Sequence, residues 1–147
     1  MFDSSIPRVP LQRTQGCLLG TLPRELVPGT LEQFELDLLA KVRQSSLAGV
    51  VIDLSALELM DLTEFGKLRR ILRMTEMLGP KTVLVGLRPG VVAGLVALGA
   101  DAAGLRTALN VELGLEALLR PVAGGGSGTA ETAFLPDVLR QALLGAH

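Results

Sequence analysis

Short aliphatic runs alternate with longer amphipathic segments from residue 49 to about residue 120, and this alternation limits the possible folds more than any other feature. The runs "AGVVIDLS" (48–55) and "KTVLVGL" (81–87) have the length of strands and few polar residues, as expected for strands covered on both faces. Each run is followed by a segment with helical spacing. This order predicts βαβ units, a largely parallel sheet with right-handed crossovers, and an α/β fold.

Two further β-leaning runs open the chain. They are "IPRVPLQ" (6–12) and "QGCLLGTL" (15–22), and they flank Arg13 and Thr14. The first run contains prolines, which cannot donate a ladder hydrogen bond, so its strand is expected at an edge of the sheet. A last short strand is predicted at "LRTALN" (105–110).

Four helices are predicted between and after these strands. The first lies in "PGTLEQFELDLLAKVRQSS" (28–46), where Thr30 and Gln33 fit a capping box. The third, "RPGVVAGLVALGA" (88–100), has Pro89 in its first turn, and its Gly90–Gly94 spacing would allow close approach to a neighbour. The last is "VELGLEALLR" (111–120). The first helix is expected to bury one face, made of Leu31, Phe34, Leu38 and Val42.

The second helix begins in "LELMDLTEFGKLRR" (57–70), where an aspartate, a hydroxyl and a basic stripe follow one another. Asp61 as N-cap with Glu64 three residues later fits a capping box. The pair is therefore interpreted either as a helix cap alone or as part of a partner-binding surface. Thr63 then falls at the second helical position, exposed, on one stripe with Lys67 and Arg70. The opposite face is expected to be core: Phe65, Leu68, Leu72 and Thr75.

The length of 147 residues suits one domain, predicted over residues 1–120. The string "VAGGGSGTAET" has the composition of a flexible linker, assigned to residues 121–130. Residues 131–147 are predicted to form an amphipathic helix or tail that folds back on the domain, packs on a sister subunit or binds a partner. The apolar residues at helical spacing are Phe134, Leu135, Val138, Leu139, Ala142 and Leu143.

Charge and rare residues exclude several function classes. Fourteen basic and fifteen acidic residues leave a net charge of −1, and Trp and Tyr are absent, which argues against nucleic-acid binding. The single histidine, His147, is the last residue, so hydrolase triads lack their base and zinc clusters lack ligands. Acid–base chemistry by carboxylates alone stays open, but the sequence positions no particular pair for it, and no catalytic residue, metal or cofactor is assigned. Cys17 is the only cysteine and is interpreted as a small buried hydrophobe.

Location follows from the same composition. The first ten residues, "MFDSSIPRVP", contain no secretory signal, and no uncharged run reaches the length of about 20 residues that spans a bilayer. The expectation is a cytoplasmic protein without a membrane span. The positive hydropathy then belongs to a core or to an interface.

Several segments together resemble the STAS domain family, named for sulfate transporters and anti-sigma factor antagonists. The closest likeness is to the stressosome scaffold branch, of the RsbS type, whose members open with an "IP" strand and a "GCLL" strand. The resemblance covers about residues 5–120. It is carried by "GVVIDLSALELMD", "LGPKTVLVGLRPGVV", "LVALGAD" and "LRTALNVELGLEAL", in which "VGLRPGVV" and "RTALN" are typical of the stressosome branch.

The resemblance implies a four- or five-stranded, mostly parallel sheet with helices mainly on one face and no catalysis. It also implies control by phosphorylation of a hydroxyl at the start of the second helix. The pattern of anti-sigma factor antagonists, D-S-[ST]-G-L-G, laid on "DLTEFG", puts Thr63 at the phosphoacceptor. In stressosome scaffolds the hydroxyl follows the aspartate directly, and that position here is Leu62.

Three functional hypotheses follow. The first is an interaction module that binds a switch serine/threonine kinase or other STAS proteins, in a homo-oligomer or hetero-assembly, through Asp61, Leu62, Glu64, Lys67 and Arg70. The second is a scaffold that has lost the phosphorylation switch. The third is a small-ligand or nucleotide-binding α/β domain with an anion site at Arg88 and Gly90, where a strand gives way to a helix.

Overall fold

The computed structural model describes residues 6–120. The predicted order of two strands followed by alternating helices and strands is confirmed. The elements are β1 (Leu11–Thr14), β2 (Cys17–Thr21), α1 (Thr30–Gln44), β3 (Gly49–Asp53), α2 (Leu62–Met77), β4 (Lys81–Val85), α3 (Pro89–Ala97), β5 (Thr107–Ala108) and α4 (Val111–Leu119). The linker predicted at 121–130 and the helix or tail predicted at 131–147 lie outside the described residues.

The five strands form one sheet in the order β1-β2-β3-β4-β5. β1 and β2 are an antiparallel hairpin, while β2, β3, β4 and β5 pair in parallel, so the mostly parallel sheet is confirmed. β1 lies at an edge, as predicted, but Pro7 and Pro10 of the predicted run precede the strand, which begins at Leu11. Residue Asp53, where β3 ends, is paired with Val85, where β4 ends, so the loops that follow these two strands leave the sheet side by side.

The helices divide unequally between the two faces of the sheet. The strand residues Leu18, Val50, Ile52 and Leu84 pack into one large core with the buried faces of α1, α2 and α3. The alternate strand residues pack with α4 in a smaller core of Cys17, Val51, Val83, Val85, Leu115 and Leu118. The expectation of helices mainly on one face is therefore confirmed, and the face predicted for α2 is buried.

The hairpin turn differs from the prediction. The turn residues are Gln15 and Gly16, with φ of 52° and 79°, and Arg13 and Thr14 belong to β1 rather than to the connection. Positive φ at both central positions is typical of a type I′ turn, one of the two-residue turns whose twist matches that of the flanking strands. Glycine adopts this conformation readily, which places the turn at Gly16.

The capping box predicted at Thr30 is wrong. Gly29 is the N-cap, with φ of 94° and no side-chain cap, and Thr30 is the first helical residue. The Thr30 hydroxyl is buried and has no hydrogen-bond partner within residues 6–120, while Gln33 donates to Asp37 at 2.9 Å. The left-handed conformation of residue 29, which favours glycine, decides where the helix begins.

The Gly90–Gly94 spacing of α3 does not bring a neighbour close. A Cβ atom added at either glycine would meet nothing within 4 Å among the described residues. The close approach to the sheet occurs in α4 instead. There, a Cβ at Gly114 would lie 2.7 Å from Cγ1 of Val85.

Candidate functional site

The loop between β3 and α2 (residues 54–60) places the start of α2 beyond the carboxyl ends of the parallel strands. Leu54, Leu57 and Met60 are buried in the large core and hold the loop against the domain. Leu59 points outward instead, with 77% of its surface exposed. The loop therefore has a fixed backbone and presents an apolar side chain to the outside.

The preceding loop, between β2 and α1, is fastened to this one. The backbone N–H of Glu58 donates to the carbonyl oxygen of Arg24 at 3.1 Å, and the Arg24 guanidinium lies 2.8 Å from the Glu58 carboxylate. The hydrogen bond to Glu58 raises the pKa of Arg24 above its ordinary value. Both side chains are largely exposed, so the ion pair itself contributes little to stability.

A third loop, after β4, packs against the loop between β3 and α2. Gly86 has φ of 73°, and a Cβ there would lie 2.8 Å from Cβ of Ser55. Ser55 in turn donates its backbone N–H to the Asp53 carboxylate at 2.9 Å. Only a residue without a side chain fits between these loops, so Gly86 helps to set the path of the chain into α2.

The predicted anion site at Arg88 and Gly90 stays a prediction, but part of its donor set is already used. Arg88 Nε donates to the carbonyl oxygen of Ser55 at 2.9 Å and so ties the loop after β4 to the loop after β3. Pro89, the next residue, has no backbone N–H to offer to an anion. The hydrogen bond to Ser55 indicates a structural role for Arg88 more directly than a role in ligand binding.

The capping box predicted at the start of α2 is confirmed. The Asp61 carboxylate accepts from the backbone N–H of Glu64 at 2.7 Å, and the Glu64 carboxylate accepts from the backbone N–H of Asp61 at 2.9 Å. The two bonds satisfy two donors that would otherwise have no partner inside the helix. The first turn of α2 is thus held by its own side chains.

The outer surface of this turn is as predicted for Thr63, which is the second residue of α2 and is exposed. Leu62 beside it keeps 40% of its surface exposed. Leu59, three residues before Leu62 in the chain, is also exposed, and we call Leu59, Leu62 and Thr63 the α2 entry surface.

The basic stripe of α2 is exposed as predicted, but it is not a free positive surface. Lys67 Nζ lies 2.6 Å from the Glu32 carboxylate, and Arg70 Nε lies 3.4 Å from the Glu35 carboxylate. Glu32 and Glu35 are both on α1. The hydrogen bond to Glu32 raises the pKa of Lys67, and the same bond is the largest cause of the lowered pKa of Glu32.

A second side of α2 is joined to the loop before β5. The Arg69 guanidinium donates to the backbone carbonyl oxygens of Asp101 and Ala103, and lies 3.5 Å from the Asp101 carboxylate. The pKa of Asp101 is lowered first by the backbone N–H of Ala103 and then by Arg69. Arg69 is therefore a structural residue, whereas the entry surface lies one to two turns before it.

The structure thus brings together Asp61, Leu62, Thr63, Glu64 and Lys67 at one end of α2, with Arg70 a turn further on. It also adds residues that the sequence analysis missed, namely Glu32, Glu35, Arg24, Glu58 and Leu59. One signal was available for two of them. Glu32 and Glu35 repeat at i, i+3 on α1, and Lys67 and Arg70 repeat at the same interval on α2, as expected for helices that pair their charges.

Catalytic and metal chemistry gain no support from this arrangement. Within residues 6–120 no group of three His, Cys, Asp or Glu residues could hold a metal ion. Cys17 is fully buried, as predicted, and burial is the main cause of its raised pKa. None of the helices in the described part of the chain is long and apolar enough to cross a membrane.

Comparisons with known proteins agree on one family. The family model of the STAS domain matches residues 8–113. A serine-to-glutamate variant of RsbS from Moorella thermoacetica is 34% identical, with a TM-score of 0.66, over 75% of this chain and 93% of that one. A structure described as the molecular architecture of the stressosome, a signal integration and transduction hub, is also 34% identical. Its TM-score is 0.65, over 74% of this chain and 95% of that one.

A more distant likeness concerns the fold alone. The anti-sigma factor antagonist SpoIIAA in its unphosphorylated form is 19% identical, with a TM-score of 0.59, over 74% of this chain and 93% of that one. The search of curated protein sequences returned no match.

Proposed function

The chain belongs to the STAS domain family, and from that membership we propose that it is a non-enzymatic regulatory or scaffold protein of a partner-switching or stressosome-type system. Its proposed partners are other STAS-domain proteins and a switch serine/threonine kinase, and it is expected to form a homo-oligomer or a hetero-assembly. The proposed location is the cytoplasm, where such a kinase has ATP.

One observation carries this proposal more than any other. At 34% identity the chain covers nearly the whole length of a stressosome component and of RsbS, so the likeness is not confined to a shared strand or helix. The second of these structures is that of the stressosome, a signal integration and transduction hub. A member of the same family with this degree of identity is expected to work through protein contacts.

The α2 entry surface is the proposed place of contact. The surface contains an exposed hydroxyl, that of Thr63, and two exposed leucines. The capping box and the hydrogen bonds between the loops after β2, β3 and β4 hold its backbone in place. A backbone that is already held in place loses less conformational entropy on binding, which favours contact through these leucines. Asp61, Glu64, Lys67 and Arg70 would then form the polar rim of the interface.

Thr63 is the proposed phosphoacceptor. A kinase would transfer the γ-phosphoryl group of ATP to the Thr63 hydroxyl oxygen, and ADP and the hydroxyl proton would leave. The phosphate, with a charge of about −1.5 to −2, would lie at the positive end of the α2 dipole, so the helix itself would tolerate it. The partner surface would change, because an apolar contact would have to accommodate a strongly hydrated anion.

The test uses the full chain and the purified switch kinases of the same genome, each with ATP. Mass spectrometry is expected to find one added phosphoryl group at Thr63, and none in Thr63→Val. Thr63→Glu is expected to weaken binding to the STAS partner. Absence of label at Thr63 together with unchanged binding of Thr63→Glu would remove the switch from the proposal.

A scaffold without a switch is the second candidate, and Leu62 favours it. The resemblance implies a hydroxyl at this position in stressosome scaffolds, whereas the leucine here is partly exposed and cannot accept a phosphoryl group. Under this alternative the kinases leave the wild-type chain unlabelled but label Leu62→Ser at position 62. Light scattering should still find an assembly larger than a monomer, and a monomer at high concentration would count against a scaffold.

A further inference from the structure

Lys67 is on α2, and its ammonium group forms an ion pair with a carboxylate on α1. In the structure its ammonium group contacts the Glu32 carboxylate on α1 at 2.6 Å, although 35 positions separate the two residues in the chain. About half of each side chain is exposed, 47% for Lys67 and 55% for Glu32. The contact is therefore specific in geometry but open to competition from another anion.

Thr63 offers the place for that competitor. Thr63 and Lys67 are spaced i, i+4 on α2, which puts their Cβ atoms about 5–6 Å apart on one side of the helix. Lysine carries its three donors on a flexible four-carbon stem, so it can turn from one acceptor to another without movement of the backbone. A phosphate on Thr63 and the Glu32 carboxylate are thus both within reach.

Charge favours the phosphate over the carboxylate. A phosphothreonine carries about −1.5 to −2, against −1 for Glu32. The Asp61 and Glu64 carboxylates also act on Lys67 and remain bound in the capping box, so a phosphate beside them would be repelled unless a cation joined it. Arg70, the next basic residue on the stripe, is directed to Glu35.

Glu32 can give up Lys67 without becoming a buried, unpaired charge. Its carboxylate is exposed and lies in the first turn of α1, where the backbone N–H groups of Glu32 and Gly29 also lower its pKa. The positive end of the helix dipole stabilises a carboxylate in that turn. Release of Lys67 therefore leaves α1 intact and removes one of the two ion pairs between α1 and α2.

We propose that Lys67 is an exchangeable cation that bridges α1 to α2 through Glu32 while Thr63 is unmodified, and that turns to the phosphate when Thr63 is phosphorylated. The inference rests on the proposed function in one respect, the modification of Thr63. Its consequence extends beyond α2. The cleft of about 110 Å³ between the helices, lined by Leu31, Glu32, Glu35, Lys67, Arg70 and Ile71, would lose one of its two ion pairs and gain a free carboxylate.

The test installs phosphothreonine at position 63 of the full chain during synthesis, so that neither a kinase nor a partner is required. The second ionisation of the phosphate is then followed by ³¹P NMR as a function of pH. Relative to the wild type, Lys67→Gln should raise the midpoint by roughly half a pH unit, because the cation that stabilises the dianion is gone. Glu32→Gln should lower the midpoint, because the competing carboxylate is removed.

Lys81→Gln is the matched control, an exposed lysine on β4, and should leave the midpoint unchanged. An unchanged midpoint in Lys67→Gln would overturn the proposal. A midpoint sensitive to Lys67 but not to Glu32 would also overturn it, because Lys67 would then serve both anions at once. A failure to find a kinase or a partner bears on the proposed function alone, and leaves this measurement as it stands.

Discussion

Asp61 and Glu64 cap each other: the Glu64 carboxylate accepts a hydrogen bond from the backbone N–H of Asp61 at 2.9 Å, and the Asp61 carboxylate accepts one from the backbone N–H of Glu64 at 2.7 Å. This reciprocal cap fixes the first turn of α2 without help from Leu62 or Thr63, which lie between the two residues. The side chains of the α2 entry surface are therefore available for contact with a partner. Leu62 and Thr63 take no part in the cap, so changes at these two positions can test the proposed contact without removing the cap.

Removal of the cap should weaken the domain. Asp61→Ala loses the acceptor for the Glu64 N–H, and the expected cost is about 1 kcal/mol in the free energy of unfolding. Urea unfolding of the full chain should give a lower midpoint with an unchanged m value. Asp61→Asn keeps a side-chain oxygen at the N-cap and should cost only a few tenths of a kcal/mol. Equal losses in the two variants would argue against the capping role.

Gly86 and Gly94 should respond in opposite ways to alanine. At Gly86 the positive φ and the contact with Ser55 both oppose a Cβ, so Gly86→Ala should destabilise by about 2 kcal/mol or more. Gly94 is inside α3 with open space around it, and Gly94→Ala should stabilise by roughly 0.5–1 kcal/mol. Thermal and urea unfolding measure both changes, and a neutral Gly86→Ala would show that the loops can separate.

The Glu32–Lys67 bridge should depend on pH in a defined window. The pKa of Glu32 is lowered in the folded state, so its contribution is present above the unfolded-state value of about 4.3 and is lost as pH falls through the folded-state value. The pKa of Lys67 is raised, so its contribution is present below about 10.4 and is lost as pH rises through its folded-state value. The bridge therefore contributes between these limits.

Glu32→Gln should accordingly destabilise the unmodified chain near pH 7 at low salt, and the difference from wild type should shrink toward zero at about pH 3 and in about 1 M NaCl. Chemical unfolding under the three conditions provides the measurement. A difference that is the same at both pH values would mean that Glu32 acts through packing and not through its charge.

Cys17 should not react in the folded protein. Its side chain is fully buried against α4, and burial raises its pKa, so the thiolate that attacks a disulfide reagent is scarce and inaccessible. Incubation with an aromatic disulfide should label the chain only when denaturant is added, at the rate of unfolding. Fast labelling without denaturant would show that α4 opens from the sheet.

The fold was largely predictable because its signals are local. The central strands β3 and β4 are short aliphatic runs in the sequence, and the buried residues of α2 recur at helical spacing. The capping box at Asp61 was also predictable, since both members lie within one turn. Residues 48–120 thus contain, in neighbouring positions, most of the information that sets their element order.

The errors came from backbone conformation that composition does not specify. "TQGC" (14–17) contains the glycine that the hairpin turn needs, but this segment was divided between a turn and a strand at the wrong residue. At α1 a threonine and a glutamine at capping spacing were less decisive than the left-handed conformation of Gly29. In both places a glycine with positive φ determined the boundary.

The candidate site was only partly predictable, because its electrostatics are tertiary. The basic stripe was identified on α2, yet whether it was free could not be known until α1 was placed beside it. Glu32 and Lys67 are 35 positions apart, and the matching i, i+3 spacing of the acidic pair on α1 and the basic pair on α2 does not show by itself that the two helices are neighbours. The exposure of Leu59 likewise depends on the buried residues on both sides of it.

Binding of other STAS proteins through the α2 entry surface can be tested by placing a charge on that surface. Leu62→Asp has a matched control in Leu113→Asp, since both leucines lie in the first turn of a helix and are 40% and 39% exposed, on α2 and on α4. An aspartate is tolerated in the first turn of either helix. The two variants therefore differ in the surface that they alter.

The measurement is light scattering after gel filtration of the full chain mixed with each purified STAS-domain protein of the same genome. The expected result is a joint assembly for the wild type and for Leu113→Asp, and separate elution for Leu62→Asp. An assembly with Leu62→Asp that equals that of the wild type, or no assembly of the wild type with any STAS protein, would contradict the account.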